Sequence, residues 1–200
     1  GVCDGSRGVV AHVPAAQMVL LYDPCRPIQV PAAGPYKQTA ATITILFRPM
    51  LRFADYDIVF QEVPDETTLA LNLSGCPHRC EGCHSPQLRE DIGEELTPTA
   101  LDRLLERYSG VTCVGLMGGD GDLQSVEEMA AYIHTLGLHV AWYTGRTTLP
   151  DGWHTEHFDY IKIGPYIQAL GGLRSPQTNQ RFYRVEDGQL HDITGRFWRK

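Results

Sequence analysis

The alternation of apolar and polar positions predicts two amphipathic helices in the second half of the chain. The first begins at Thr97-Pro98, because threonine is a favourable N-cap and proline fits the first helical position. The second spans residues 125–136, with capping-box spacing between Ser125 and Glu128 and Gly137 after its end. The apolar positions recur with helical spacing; they are Leu101, Leu104, Leu105 and Tyr108 in the first helix, and Met129, Tyr132, Ile133 and Leu136 in the second.

Short apolar runs between and around these helices predict β-strands. Residues 111–117 are almost continuously apolar, which is typical of a strand buried on both faces. Asp187-Gly188 separates two short strand candidates and predicts a C-terminal β-hairpin. Because strands alternate with helices, we expect an α/β fold with a mostly parallel sheet. The predicted strands are residues 56–63, 68–73, 111–117, 138–143, 160–163, 182–185 and 189–193.

Residues 1–49 lack this regular pattern. They contain six of the 13 prolines, four basic residues and only two acidic ones, and one short strand candidate at residues 42–47. We therefore predict that residues 1–49 are an N-terminal extension outside the fold, and that residues 50–200 form the functional domain.

Composition and charge exclude two classes of partner. The chain is 42% hydrophobic and 20% charged, which is ordinary for a globular protein. Its net charge is −7 and no run of Lys and Arg exceeds a pair, so we expect no nucleic-acid binding, which depends on neutralised phosphates. No stretch approaches the roughly 20 apolar residues of a membrane helix, so we expect no membrane segment.

Unusual segments follow four of the predicted strands. Because the carboxyl ends of neighbouring parallel strands meet at one edge of a sheet, these segments are expected to build a single site. The four segments are a cysteine-rich run at residues 74–85, Gly118-Gly119-Asp120, Thr144-Gly145 and Gly164-Pro165-Tyr166.

The cysteine-rich run has the spacing C-x3-C-x2-C, formed by Cys76, Cys80 and Cys83. Three thiolates on one loop can hold three corners of a [4Fe–4S] cluster, which leaves the fourth iron free to bind a small molecule. The alternative is a structural zinc site with His78 or His84 as the fourth ligand. Clustered rather than paired cysteines favour a reducing compartment, so we expect the protein in the cytoplasm.

Two further observations concern residues outside the cysteine spacing. Gly118 and Gly119 allow a close approach of the backbone to a ligand, and Asp120 can pair with an ammonium or a hydroxyl group. Cys113 lies within an apolar strand and is interpreted as a core residue.

Together these segments resemble the radical S-adenosylmethionine (SAM) superfamily. Within it, the chain resembles the activating proteins of anaerobic ribonucleoside-triphosphate reductases, over about residues 50–200. The family often has proline after the Gly-Gly-acidic triplet, where this chain has Gly121-Asp122. The segments that carry the resemblance are residues 74–85, 117–120, 142–145, 164–166 and 178–181.

This resemblance implies a short, incomplete (β/α) barrel of the radical SAM type and a radical oxidoreductase activity. A [4Fe–4S] cluster would cleave SAM reductively, and the resulting 5′-deoxyadenosyl radical would take a hydrogen atom from a glycine of the reductase, leaving a glycyl radical. No general acid or base is required. The implied metal ligands are Cys76, Cys80 and Cys83, and the implied cofactor-binding residues are Gly82, His84, Gly118, Gly119 and Asp120.

The implied partners are the glycyl-radical subunit of the reductase and, as electron donor, reduced flavodoxin or ferredoxin. Two alternative functions stay open. One is another small radical SAM enzyme, such as a different glycyl-radical activase or a deazaguanine synthase. The other is a zinc-binding module without enzymatic activity.

Overall fold

The computed structural model describes residues 50–198, which build one eight-stranded sheet in the order β3-β1-β2-β4-β5-β6-β7-β8. The predicted extension at residues 1–49, with its strand candidate at 42–47, lies outside the described residues. The strands are β1 (Arg52–Val59), β2 (Thr68–Leu73), β3 (Glu94–Glu95), β4 (Cys113–Met117), β5 (His139–Tyr143), β6 (Tyr160–Ile163), β7 (Arg181–Glu186) and β8 (Gln189–Asp192), and the α-helices are α1 (Pro98–Arg107) and α2 (Leu123–Thr135).

The sheet is parallel at its centre and antiparallel on both sides. Strands β2, β4, β5 and β6 run parallel, whereas β3 and β1 on one side, and β7 and β8 on the other, pair antiparallel. The sheet is therefore mixed rather than mostly parallel. The connections from β1 to β2, residues 60–67, and from β7 to β8, residues 187–188, are too short for a parallel crossover. The predicted hairpin at Asp187-Gly188 is present as β7 and β8. The barrel stays a prediction.

Both helices pack on one face of the sheet, which encloses the larger core. Leu101 of α1 and Ile133 of α2 belong to the same buried cluster as Leu71, Leu116 and Trp142 of the strands. Alternate strand residues point to the opposite face, which neither α1 nor α2 covers and which we call the helix-free face; a smaller cluster forms there. That cluster consists of Val63, Cys113, Ala141, Tyr160 and Phe182. Cys113 is thus a core residue, as the sequence predicts.

Several element boundaries differ from those predicted. The first strand is Arg52–Val59 instead of residues 56–63, since the chain leaves the sheet after Val59 and exposes 68% of Phe60. Helix α1 is capped by Thr97 as predicted, through its side chain and the backbone N–H of Ala100. Helix α2 begins two residues before Ser125, because Asp122 is its N-cap and accepts from the backbone N–H of Ser125 at 3.2 Å. Among residues 50–198, no helix is long and apolar enough to cross a membrane.

A buried carboxylate joins the amino-terminal ends of the central strands. Glu66, in the connection from β1 to β2, accepts from the hydroxyl of Thr112 at 2.5 Å and from the hydroxyl of Tyr160 at 3.0 Å. Nδ1 of His139 lies 2.7 Å from the same carboxylate. Burial, followed by the bond to Glu66, raises the pKa of Tyr160 above its ordinary value. Glu66 therefore holds β4, β5 and β6 in register at their amino-terminal ends. The cysteine-rich loop lies at the opposite, carboxyl-terminal ends of the central strands.

We expect Glu66→Ala to lower the free energy of unfolding by about 3 kcal/mol, since it leaves the buried hydroxyl of Tyr160 without its acceptor. Urea denaturation measures this loss. Glu106→Ala, at an exposed position of α1, is the control and should change the free energy of unfolding by less than about 0.5 kcal/mol. Equal effects of the two substitutions would contradict this role of Glu66.

Candidate metal centre

The parallel strands bring the four unusual segments to one edge of the sheet. Strands β2, β4, β5 and β6 are neighbours and end together, so the loops that follow them meet. A methyl group added at Gly121 would lie 2.7 Å from the carbonyl oxygen of Gly75, and one added at Gly145 would lie 2.5 Å from the ring of His78. The loops after β4 and β5 therefore both contact the cysteine-rich loop.

Backbone hydrogen bonds close the cysteine-rich loop onto the short 3-10 helix that follows it. The N–H of Gly75 donates to the carbonyl of Glu90 at 3.1 Å, and the N–H of Cys76 donates to the carbonyl of Leu88 at 2.9 Å. The 3-10 helix is Pro86–Arg89. These bonds hold the two ends of the loop together, so the three cysteines between them are confined to a small volume.

The thiols of Cys76, Cys80 and Cys83 are free and partly buried. Burial raises the pKa of the Cys76 thiol, and the charges of Asp120, Cys80 and Cys83 raise it further. A hydrogen bond with the backbone of His78 has the opposite effect on this pKa, smaller than that of burial. Because these negative groups oppose one another's ionisation, a metal that neutralises the thiolates would relieve the repulsion.

The spacing of these thiols bears on the kind of metal group they can hold. Within residues 50–198, no three His, Cys, Asp or Glu side chains converge as the ligands of a single metal ion. A [4Fe–4S] cluster takes one thiolate on each iron, so its three cysteines do not need to converge on one point. Cys76, Cys80 and Cys83 supply three free thiols on one loop, which is the donor set of a cluster held at three corners.

Asp120 is a buried polar residue of the site, with 2% of its side chain exposed. Its Oδ1 accepts from the hydroxyl of Thr144 at 2.5 Å, and its Oδ2 accepts from the N–H of Gly145 at 3.0 Å. Nε2 of His78 lies 3.2 Å from Oδ2 but is not aligned for a hydrogen bond. One carboxylate thus connects the end of β4, the end of β5 and the cysteine-rich loop.

The turn that carries Asp120 requires glycine. Gly119 has φ +85°, and a methyl group there would lie 2.4 Å from Val126 of α2. The carbonyl of Gly118 accepts from the indole N–H of Trp142 at 2.8 Å. The backbone N–H of Gly118 donates to the carbonyl of Tyr143 at 2.9 Å. The two glycines therefore let the chain pass between α2 and β5 and direct Asp120 into the site.

The end of the cysteine-rich loop packs on the segment after β6. A methyl group at Gly82 would lie 2.6 Å from the amide oxygen of Gln168, and the rings of His84 and Tyr166 are 4.7 Å apart. Asn179 donates to the carbonyl of Pro165 at 2.9 Å. All the sequence-predicted site residues therefore belong to one group of contacting loops.

A cavity of about 590 Å³ adjoins this group of loops. Its volume lies in the range of sites that bind small-molecule ligands and cofactors. A separate pocket of about 210 Å³, against α1 and α2, contains none of the candidate residues. Residues lining the larger cavity include Glu62, His84, Tyr143, Lys162, Tyr166 and Arg174.

Lys162 is a buried residue of this cavity that the sequence analysis missed. Its Nζ donates to the carbonyls of Gly164 at 2.6 Å and Thr144 at 3.3 Å. Burial lowers its pKa from 10.5 to about 8, although the charges of Asp120 and Cys80 oppose this shift. In the sequence, Lys162 could have been recognised as the one charged residue of the otherwise apolar strand β6.

We expect Lys162 to make the cluster-free protein more stable as the pH rises from about 8 to 10.5. Between these values the unfolded chain holds a proton that the folded protein has released, so the free energy of unfolding increases. The gain is on the order of 3 kcal/mol. Urea denaturation of wild type and Lys162→Met across this range measures it. A constant difference between the two proteins would contradict the shifted pKa.

The comparisons with known proteins agree with this geometry. Residues 67–150 match the family described as 4Fe-4S single cluster domain, a segment that contains the three cysteines, Asp120 and Thr144. No curated protein and no solved structure matches the chain significantly. The matched segment is therefore a [4Fe–4S] cluster domain, and the chain is an iron–sulfur protein.

Proposed function

We propose that this iron–sulfur protein is a radical SAM enzyme that activates an anaerobic ribonucleoside-triphosphate reductase. It would cleave SAM reductively and generate a glycyl radical on the reductase, with reduced flavodoxin or ferredoxin as the electron donor. We expect this chemistry in the cytoplasm, where thiols stay reduced.

One observation carries the proposal. The cysteine-rich loop, the Gly-Gly-Asp turn and the Thr144-Gly145 turn meet around the buried carboxylate of Asp120. Three cysteines account for three of the four irons of a cubane, so one iron remains available for a ligand that is not cysteine. A mere electron-transfer site would not need that free position, or a cavity of about 590 Å³ beside it.

The residues around the cysteines would bind and orient SAM. Cys76, Cys80 and Cys83 would hold a cluster that, once reduced, would supply the electron for breaking the sulfonium C–S bond of bound SAM. Asp120 would accept from the SAM ammonium group, since a carboxylate has about four acceptor positions and only two are occupied by Thr144 and Gly145. The glycines at 118 and 119 would act by placing Asp120, because the space beside both is filled by Leu73 and, at Gly119, by Val126.

The cavity provides the volume for the nucleoside part of SAM. It is lined by Tyr143 and Lys162, whose side chains belong to the helix-free side of the sheet. His84 and Tyr166 line the cavity next to the cysteine-rich loop. We therefore expect the adenosyl group to lie in this cavity, and the glycine-bearing segment of the reductase to reach it there.

Anaerobic reconstitution with iron and sulfide, followed by an assay for 5′-deoxyadenosine, tests the SAM chemistry. We expect about four irons per chain and formation of 5′-deoxyadenosine after reduction with dithionite in the presence of SAM. Tightly bound zinc without iron would indicate the zinc module instead. A loaded, reduced cluster that forms no 5′-deoxyadenosine would refute the radical SAM assignment.

The choice of reductase as partner needs a second measurement. The reconstituted protein, SAM and reductant are mixed with an anaerobic ribonucleoside-triphosphate reductase, and the glycyl radical is followed by electron paramagnetic resonance. We expect the radical signal only when all components are present. Cleavage of SAM without a glycyl radical on the reductase would instead favour another small radical SAM enzyme.

A further inference from the structure

Arg89 contacts the cysteine-rich loop from the 3-10 helix that closes it. Its Nη2 donates to the backbone carbonyl of Cys80 at 3.1 Å. The same short helix accepts the N–H of Cys76 at the carbonyl of Leu88. Arg89 therefore bonds directly to the residue that supplies the second of the three thiols, and it is partly buried there.

A second nitrogen of this guanidinium is left without an acceptor. Nε of Arg89 is buried and has no hydrogen-bond partner in the described part of the chain. An unpaired buried donor costs about 1–3 kcal/mol, and more when it belongs to a charged group. Such a donor is explained most directly by an acceptor that binds later, and thiolate and sulfide sulfur atoms are negatively charged acceptors.

The charge of Arg89 also has a predictable effect on an iron–sulfur cluster. Reduction adds one negative charge to the cluster, so a nearby positive charge stabilises the reduced form and raises the reduction potential. Net charge and hydrogen bonds to the sulfur atoms are among the factors that set these potentials. Because Arg89 is partly buried, solvent and salt screen its charge less than they screen an exposed arginine.

We infer that Arg89 is a positioning residue that raises the reduction potential of the cluster, mainly through its charge and to a smaller extent through a hydrogen bond to a cluster sulfur. The bond to the carbonyl of Cys80 fixes the guanidinium against the loop, and the remaining buried N–H is the donor to sulfur. This inference rests on the cluster domain and does not depend on SAM cleavage.

The test compares three variants by anaerobic redox titration without SAM. Arg89→Gln removes the charge, Arg89→Lys keeps it, and Arg79→Gln removes an exposed arginine from the same loop. At a fixed applied potential, we expect Arg89→Gln to lower the ratio of reduced to oxidised cluster about tenfold, a shift of about 59 mV for one electron. Arg89→Lys and Arg79→Gln should each change the ratio less than threefold.

Iron content is measured for each variant, so that loss of the cluster is distinguished from a change in its potential. An unchanged ratio in iron-loaded Arg89→Gln, or an equal decrease in Arg79→Gln, would overturn the inference while leaving the proposed function intact. If Arg89→Gln does not retain iron, Arg89→Lys decides: a near wild-type ratio supports the role of the charge, and a tenfold decrease refutes it. Failure of the wild-type protein to load a cluster would refute both proposals.

Discussion

Cys80→Ala is expected to abolish both cluster binding and SAM cleavage. Cys80 is the central member of the C-x3-C-x2-C motif, and its loss leaves only two thiolates for the cluster. Iron and sulfide content after anaerobic reconstitution should fall to background, and 5′-deoxyadenosine should not be detectable.

Cys113→Ala provides the matched control for the loss of a thiol. Cys113 is fully buried on the helix-free face, and burial followed by the charge of Glu66 raises its pKa far above the ordinary value. We expect this variant to lose some stability but to bind iron as the wild type does. Retention of a full cluster by Cys80→Ala, or its loss from a folded Cys113→Ala, would contradict the assignment of the ligands.

The second large effect is expected from Asp120→Ala, which should weaken SAM binding about ten- to a hundred-fold while the cluster is retained. A hydrogen bond to a charged group contributes about 1.5–3 kcal/mol, which corresponds to this loss. The substitution also leaves the hydroxyl of Thr144 and the N–H of Gly145 without their acceptor. Equilibrium binding of SAM to the anaerobic, cluster-loaded protein measures the change.

Thr144→Val separates the two consequences of losing Asp120. This variant removes the hydroxyl that donates to Oδ1 but leaves the carboxylate in place. We expect SAM affinity to decrease less than fivefold in Thr144→Val, because the negative charge remains. If both variants lose affinity equally, Asp120 acts by supporting the turn and not by accepting from SAM.

The sequence predicted those features that depend on local spacing. The limits of β2 and β6 and the Thr97 cap of α1 follow from neighbouring residues, and the structure has them as predicted. The cysteine spacing is local in the same sense, and the family comparison agrees that it marks a cluster domain. Local sequence was also sufficient for the hairpin, since Asp187 and Gly188 both have positive φ.

Features that depend on distant parts of the chain were not predictable in this way. The first strand is displaced because its limits are set by antiparallel pairing with β2 and by an irregularity between Phe53 and Asp55. Lys162 and Arg89 become notable only when the fold places one in the cavity and the other on the cysteine-rich loop. Nothing in the neighbouring sequence of Glu66 indicates that it bonds to residues 46 and 94 positions further along.

The Glu66 network and the cysteines lie at opposite ends of the same central strands. Substitutions at the amino-terminal ends should therefore shorten the lifetime of the folded protein without altering how each surviving molecule reacts. Substitutions at the carboxyl-terminal ends can change reactivity while the Glu66 network keeps the central strands aligned at their other ends. Such a division lets the reactive loops accumulate sequence changes during evolution while the sheet beneath them keeps its register.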